Sequence, residues 1–217
     1  MPQDSHPHPE SVGKQSPGKH HGEPSTRERV LTEALESFAA DGYTGTSLDD
    51  LATKLGIRKQ TILYYFPSKE ALLHAVIDTT VLELAGAFAQ GIARPARGWE
   101  RVEAVVRAVF RLAARRPAVL SIVREVSSLG PPHAHRLSAA LEPHITAATI
   151  FLQADMDAGR LRRHDPRLVL LLAYSAVLVA TTEVEALRAV GVEPTPRSLL
   201  KRRRDLLGFF RAALVMD

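Results

Sequence analysis

The chain has 217 residues, no cysteine, and 28 lysines and arginines against 24 aspartates and glutamates, a net charge of +4. Its length allows one average domain plus a small satellite with a sizeable core, and its 45% hydrophobic content belongs to a globular chain rather than a disordered one. The missing cysteines exclude a disulfide scaffold, a thiolate zinc site, an iron–sulfur cluster and a cysteine nucleophile, and they suit a reducing cytoplasm, the expected location.

No segment reads as membrane-spanning. The longest uncharged apolar run of the second half, Leu168 to Thr182, has 15 residues between Arg167 and Glu183, and about 20 are needed to cross a bilayer. The N-terminus lacks the apolar stretch of a secretory signal. The expectation is a soluble intracellular protein.

Residues 1–24 differ from the rest: Pro, Gly, Ser and His supply 15 of them. Such a segment buries too little apolar surface to offset its ordering entropy and reads as a disordered arm. Gly13-Lys-Gln-Ser-Pro-Gly18-Lys19 matches a phosphate loop as far as its lysine. However, His20 stands where the magnesium-binding Ser or Thr belongs and no strand precedes it. His6, His8, His20 and His21 are read as part of a solvated tail rather than as a metal site.

From Thr26 onward the pattern is helical. Ser25 or Thr26 caps a first helix with Val30, Leu31, Ala34, Leu35 and Phe38 on one face, ending near Asp41-Gly42. Thr46 or Ser47 caps a second, with Asp49 and Asp50 as capping-box partners, and Gly56 ends it. A third short helix runs from about Arg58 to Phe66 and stops at Pro67, and Ser68 caps a longer fourth. Three helices in about 40 residues, two joined through Leu55-Gly56-Ile57-Arg58, form the layout of a helix-turn-helix. Beyond it, helices are expected over 99–116, 118–128, 133–158, 166–190 and 196–215, so the fold class is all-α.

In the third helix, Ile62, Leu63 and Phe66 share an inward side. Gln60, Thr61, Tyr64 and Tyr65 face elsewhere, with Arg58 and Lys59 at the N-terminal end. Gln bonds adenine bidentately, Arg and Lys bond guanine, and Thr meets a thymine methyl, so the helix suits the major groove. Tyr hydroxyls suit phosphates, as does Lys69 at the start of the fourth helix.

In Phe38-Ala-Ala-Asp-Gly42-Tyr43, Thr46-Ser47, Leu51-Ala52, Leu55-Gly56-Ile57, Thr61-Ile62 and Tyr64-Tyr65-Phe66-Pro67-Ser68-Lys69-Glu70-Ala71-Leu72-Leu73, the chain resembles the tetracycline-repressor (TetR) family of bacterial transcriptional regulators. The likeness covers about residues 26–75. It implies a homodimer gripping a palindromic double-stranded DNA operator, usually a repressor, with a divergent C-terminal domain that binds a small-molecule effector. Carried onto this sequence, the phosphate contacts fall on Ser47, Tyr64, Tyr65 and Lys69, with Thr46 adjacent, and base reading falls on Arg58, Lys59, Gln60 and Thr61. There are two departures: Ile62-Leu63 replaces the usual Leu-Tyr step, and Asp49 stands where a basic residue is common.

The expected organisation is an arm over 1–24, a helix-turn-helix domain over 25–70 and a helical effector-binding and dimerisation domain over 71–217. Leu168–Thr182 is apolar on every face, so this helix is expected to be buried all round, and 166–190 and 196–215 should pair with their dimer mates in a four-helix bundle. Lys201-Arg-Arg-Arg204 spreads round a helix and reads as a solvated rim of that interface. Ligand candidates are Trp99, Phe110, Phe151 and Tyr174, with Arg124 and Glu183 as polar anchors. No cofactor and no metal are expected; His133, His135, His144 and His164 lack zinc spacing with a third ligand. Two other readings are a C-terminal half that only dimerises and a helical enzyme; the second is disfavoured because no catalytic motif is present.

The net charge is −1 over 1–24, −2 over 25–80 and +7 over 81–217, so the overall basicity belongs to the C-terminal half. Between Asp50 and Glu70 stand Lys54, Arg58, Lys59 and Lys69 with no acid among them. That local cluster is the expected electrostatic footprint on DNA.

Overall fold

A computed structural model of the chain describes residues 24–92 and 96–216. The glycine-rich segment at 13–19 and the four arm histidines lie outside the described residues. Among the latter the architecture is helical throughout, with no strand: α1 (Thr26–Gly45), α2 (Leu48–Leu55), α3 (Lys59–Tyr65), α4 (Lys69–Ile92), α5 (Trp99–Arg115), α6 (Pro117–Ser128), α7 (His133–Asp157), α8 (Pro166–Thr182), α9 (Val184–Ala189) and α10 (Pro196–Leu214).

The boundaries follow from local chemistry. Ser25 and Glu28 form a reciprocal capping box on α1, and Ser47 and Asp50 form one on α2. Asp165 caps α8 ahead of Pro166, and Thr195 caps α10 ahead of Pro196, each proline occupying the first turn, where its missing N–H costs nothing. The expected single helix over 166–190 divides at Glu183, whose ψ of 78° is not helical.

Gly42 bends α1 before its last turn, with φ 77° and ψ 158°, a region almost confined to glycine. The bend frees the Tyr43 N–H, which donates to Oε1 of Glu125 on α6 at 2.7 Å. A Cβ on Gly42 would stand 3.2 Å from that same oxygen. The bend and the acceptor that satisfies it therefore require one another.

One large cluster of buried residues runs through α1, α2, α3, α4 and α6, from Val30, Phe38 and Leu51 through Ile62 and Leu73 to Val119 and Ile122. The helix-turn-helix thus shares its core with the body. Two smaller clusters lie farther on, one around Leu152, Met156, Leu161 and Leu214, the other around Val106, Phe110 and Leu207.

Two apolar helices bear on the sequence expectations. α4 is long and apolar enough to cross a membrane by length and composition. Its Leu72, Leu73, Val76 and Ile77 are fully buried among the neighbouring helices, which makes it the central strut of the fold. α8 is not enclosed within one chain: only Pro166 is buried, while Leu168, Leu171 and Leu172 are 51%, 58% and 55% exposed.

Candidate nucleic-acid interface

The turn between α2 and α3 is built from backbone satisfaction. Gly56 takes a left-handed conformation with φ 65°, and its N–H and that of Ile57 turn back to the carbonyls of Thr53 and Ala52. Arg29 of α1 donates to the Leu55 carbonyl at 3.2 Å, capping another group the helix leaves open. α3 then lies across the core with Ile62 fully buried and Phe66 nearly so. The Arg27 guanidinium covers the Phe66 ring at 5.2 Å.

With that side anchored, Arg58, Lys59, Gln60 and Tyr64 are exposed, Tyr64 at 81%, and Thr61 is half-buried beside them. Tyr65 is exposed too and meets Tyr64 edge-on at 5.1 Å between centroids. α3 therefore presents an amide, two phenols and two cations from one short rigid element.

Thr46 does not belong to this face. It is buried, and its hydroxyl donates to the Gly42 carbonyl at 2.9 Å, fastening the bent end of α1. Ser47 is half-exposed, but its hydroxyl already serves the capping box: it donates to Oδ2 of Asp50 at 2.6 Å and accepts from the Asp50 N–H. Those bonds hold the Asp50 carboxyl below its ordinary pKa. A depressed carboxyl adds stability above its unfolded pKa and loses it as pH falls through the folded one, so this cap weakens only in acid.

The cationic cluster is internally compensated. Lys59 pairs with Asp49 at 2.8 Å, and Lys54 lies 3.5 Å from Asp41, 3.8 Å from Glu33 and 2.9 Å from the Ser37 hydroxyl. Lys69 rests on the Tyr43 ring at 4.3 Å, and burial lowers its pKa. Arg58 alone of the four has neither a carboxylate nor an aromatic partner among the described residues. Tyr43 is the residue sequence reasoning passed over. Its ring stands edge-on to Phe38 at 5.4 Å and carries Lys69, and its N–H reaches Glu125. The signal was the Gly42-Tyr43 step itself, an aromatic placed directly after a helix-breaking glycine.

The six ligand candidates lie in several parts of the helical body. Trp99 joins the two smaller clusters, Phe110 is buried in one and Phe151 packs on the other. Tyr174 is exposed on α8. Arg124 and Glu183 instead meet each other at 3.4 Å. Two hollows among the described residues, one between Asp41, Thr46 and Lys54 and the other between Glu28, Leu35 and Arg116, include none of the six.

The basic run of α10 spreads round the helix, but only half of it is solvated as expected. Lys201 and Arg204 are exposed, whereas Arg202 turns inward to the Ala180 carbonyl and Arg203 is half-buried.

The fold and the anchored α3 define a helix-turn-helix protein with an all-helical body. Residues 30–76 match the family model for bacterial regulatory proteins of the tetR family. The regulator RutR of Escherichia coli K12 is 45% identical over 51 residues, which are 24% of this chain and 24% of RutR. The chain thus matches about a quarter of that relative's length. EthR of Mycolicibacterium smegmatis is 25% identical over 146 residues, covering 65% of this chain and 67% of EthR. Among solved structures, the regulator FadR from Bacillus subtilis in complex with stearoyl-CoA superposes with a TM-score of 0.68 at 17% identity, over 83% of this chain and 95% of that one. Residues 30–76 thus carry the N-terminal domain of the tetR family of bacterial regulatory proteins.

Proposed function

We propose that this chain is a transcriptional regulator, usually acting as a repressor, which binds a palindromic operator as a homodimer and releases it when a small molecule occupies the helical body. The observation that carries the reading is α3: Ile62 and Phe66 fix it in the core, so Arg58, Lys59, Gln60 and Tyr64 project together on its free side. Gln60 and Arg58 supply base contacts, with Thr61 and Lys59 beside them, and Tyr64, Tyr65, Ser47 and Lys69 supply phosphate contacts. The reading head spans 25–70 and the effector and dimer domain 71–217.

Dimerisation is supported by the open face of α8, where Leu168, Leu171, Leu172 and Val179 follow helical spacing and all stand in solvent. Leu200 and Phe209 of α10 are exposed as well. The stearoyl-CoA held by FadR supports an effector with a long apolar body. Here it would enter beside Trp99, which packs on both smaller clusters, with Phe110 in one and Phe151 on the other. Release requires the effector to bind the DNA-incompetent arrangement better than the competent one.

The test is retardation of the DNA upstream of its own gene by the purified protein at low salt. No retardation in that assay would sink the reading. Lys69→Ala should weaken binding to every sequence and flatten the salt slope by about one unit, whereas Gln60→Ala should change sequence preference. Asp49→Asn carries the opposite sign. It frees Lys59 from its 2.8 Å partner and removes an anion beside the reading helix, so non-specific DNA affinity should rise about two- to fivefold at low salt. Affinities measured at several salt concentrations decide it, and unchanged binding would show that the pair does not limit Lys59.

A further inference from the structure

α4 and α7 cross where the reading head joins the body; Leu137 of α7 packs into the core there, and a row of polar side chains lines the edge of the contact. Arg136 of α7 grips Asp78 of α4 with two bonds of 2.8 and 2.9 Å. One turn toward the start of each helix, the same interface brings His133 of α7 to Glu70 and His74 of α4. One donor atom from each of these three lies within 4.8 Å of the other two. The His74 Nε2 is 3.9 Å from the Glu70 carboxylate, and the two imidazole rings are 5.9 Å apart.

Three features mark the group as more than a chance meeting. Glu70 and His74 are four residues apart on one helix, the spacing that aims two side chains at one point from a rigid scaffold. The Nδ1 of His133 is buried with no hydrogen-bond partner among the described residues, a cost that a native fold normally avoids. The third ligand comes from a second helix, so the donor set spans an interface.

We propose that Glu70, His74 and His133 bind a divalent transition-metal ion of the zinc class, with water completing the shell, and that the ion ties the first turn of α4 to the first turn of α7. Two imidazoles and a carboxylate match the ligand chemistry of zinc, whose bonds to N and O run at about 2.0–2.2 Å. Closing the three donors onto such an ion needs them to draw together by about 1 Å, within the reach of side-chain rotation at partly exposed positions. Tyr43 packs on His133 at 5.7 Å between centroids and supplies an apolar wall. Lys69, next to Glu70 in the chain, rests on the Tyr43 ring instead. Asp78 is already neutralised by Arg136, so Glu70 is the carboxylate left to meet the ion.

The experiment uses the full chain with His6, His8, His20 and His21 replaced by Gln, which removes the competing imidazoles of the arm. Zinc binding is measured by equilibrium dialysis without DNA, so it stands apart from the regulatory reading. One ion per chain is expected, with His133→Asn and His74→Gln each weakening it about tenfold or more and Glu70→Gln weakening it less. Hydrogen exchange should slow on zinc addition in the first turns of both α4 and α7. Circular dichroism without metal shows that each variant is folded. Binding that survives the combined H74Q and H133N variant, failure of the arm-substituted chain to take up an ion, or slowed exchange in neither turn would overturn the proposal.

Discussion

Replacing Leu171 and Leu172 together by aspartate should make the protein monomeric and lower its operator affinity by about 10²-fold or more. In the isolated chain these side chains are 58% and 55% exposed, on the most apolar helix of the C-terminal half. Leu168, Leu171, Leu172, Ser175 and Val179 fall at intervals of three and four and make one stripe. Burying the exposed half of each leucine against a partner contributes about 1–1.5 kcal/mol, and a carboxylate in the same place must shed its water without gaining a counter-ion. Two reading heads held on one dimer bind their half-sites as a single linked event, and a lone head forfeits that advantage. Light scattering after size-exclusion chromatography gives the mass directly. A variant that stays dimeric at micromolar concentration would move the interface away from α8.

The same substitution shows why burial was the least legible property in the sequence. An unbroken apolar run from Leu168 to Thr182 reads as a helix enclosed on all sides, and within one chain it is not. Periodicity reports which faces want to leave water, not which molecule covers them. Local signals transferred well: Ser47 with Asp50, and Gly56 at the turn, act over three or four residues and fix α2 and its end without reference to the rest of the fold. Pairings across the chain did not transfer. The basic cluster at Lys54, Lys59 and Lys69 looked free because its partners Glu33, Asp41, Asp49 and Tyr43 lie on other elements or outside the run. The grouping of Glu70, His74 and His133 was not legible for the same reason, since the two histidines stand 59 positions apart in the chain.

Two adjacent residues of α6 illustrate what only the tertiary structure could reveal. Glu125 holds the Tyr43 N–H at the bend of α1, and Arg124 reaches Glu183 at the α8–α9 junction. One rigid helix thus touches both the reading head and the break beside the proposed dimer helix. The Glu125 carboxylate is the bond acceptor at the Gly42 bend, so α6 and that bend are in direct contact. This supplies a contiguous physical link between body and head; coupling through it is a matter for paired substitutions at Glu125 and Arg124.

Phe38→Ala should cost about 3–5 kcal/mol, a large share of the 5–15 kcal/mol that keeps a typical domain folded. Phe38 is fully buried in the cluster shared by α1, α2, α3, α4 and α6, so no solvent-facing side is available to absorb the loss. Truncation also removes the edge-on contact with Tyr43 at 5.4 Å, worth about 0.5–1.5 kcal/mol beyond the area buried. Tyr43 would then loosen beneath Lys69 and at its bond to Glu125, so phosphate contact should suffer along with stability. Phe38→Leu keeps most of the volume and should cost about 1.5 kcal/mol or less. Because head and body share this core, urea should shift one cooperative transition to lower concentration rather than split it in two. Both variants must be compared at one protein concentration, since dimer stability depends on it. A loss below about 1 kcal/mol, or melting of α1–α3 ahead of the remaining helices, would mean that the head folds as a separate unit and that the continuous cluster is not what holds it in place.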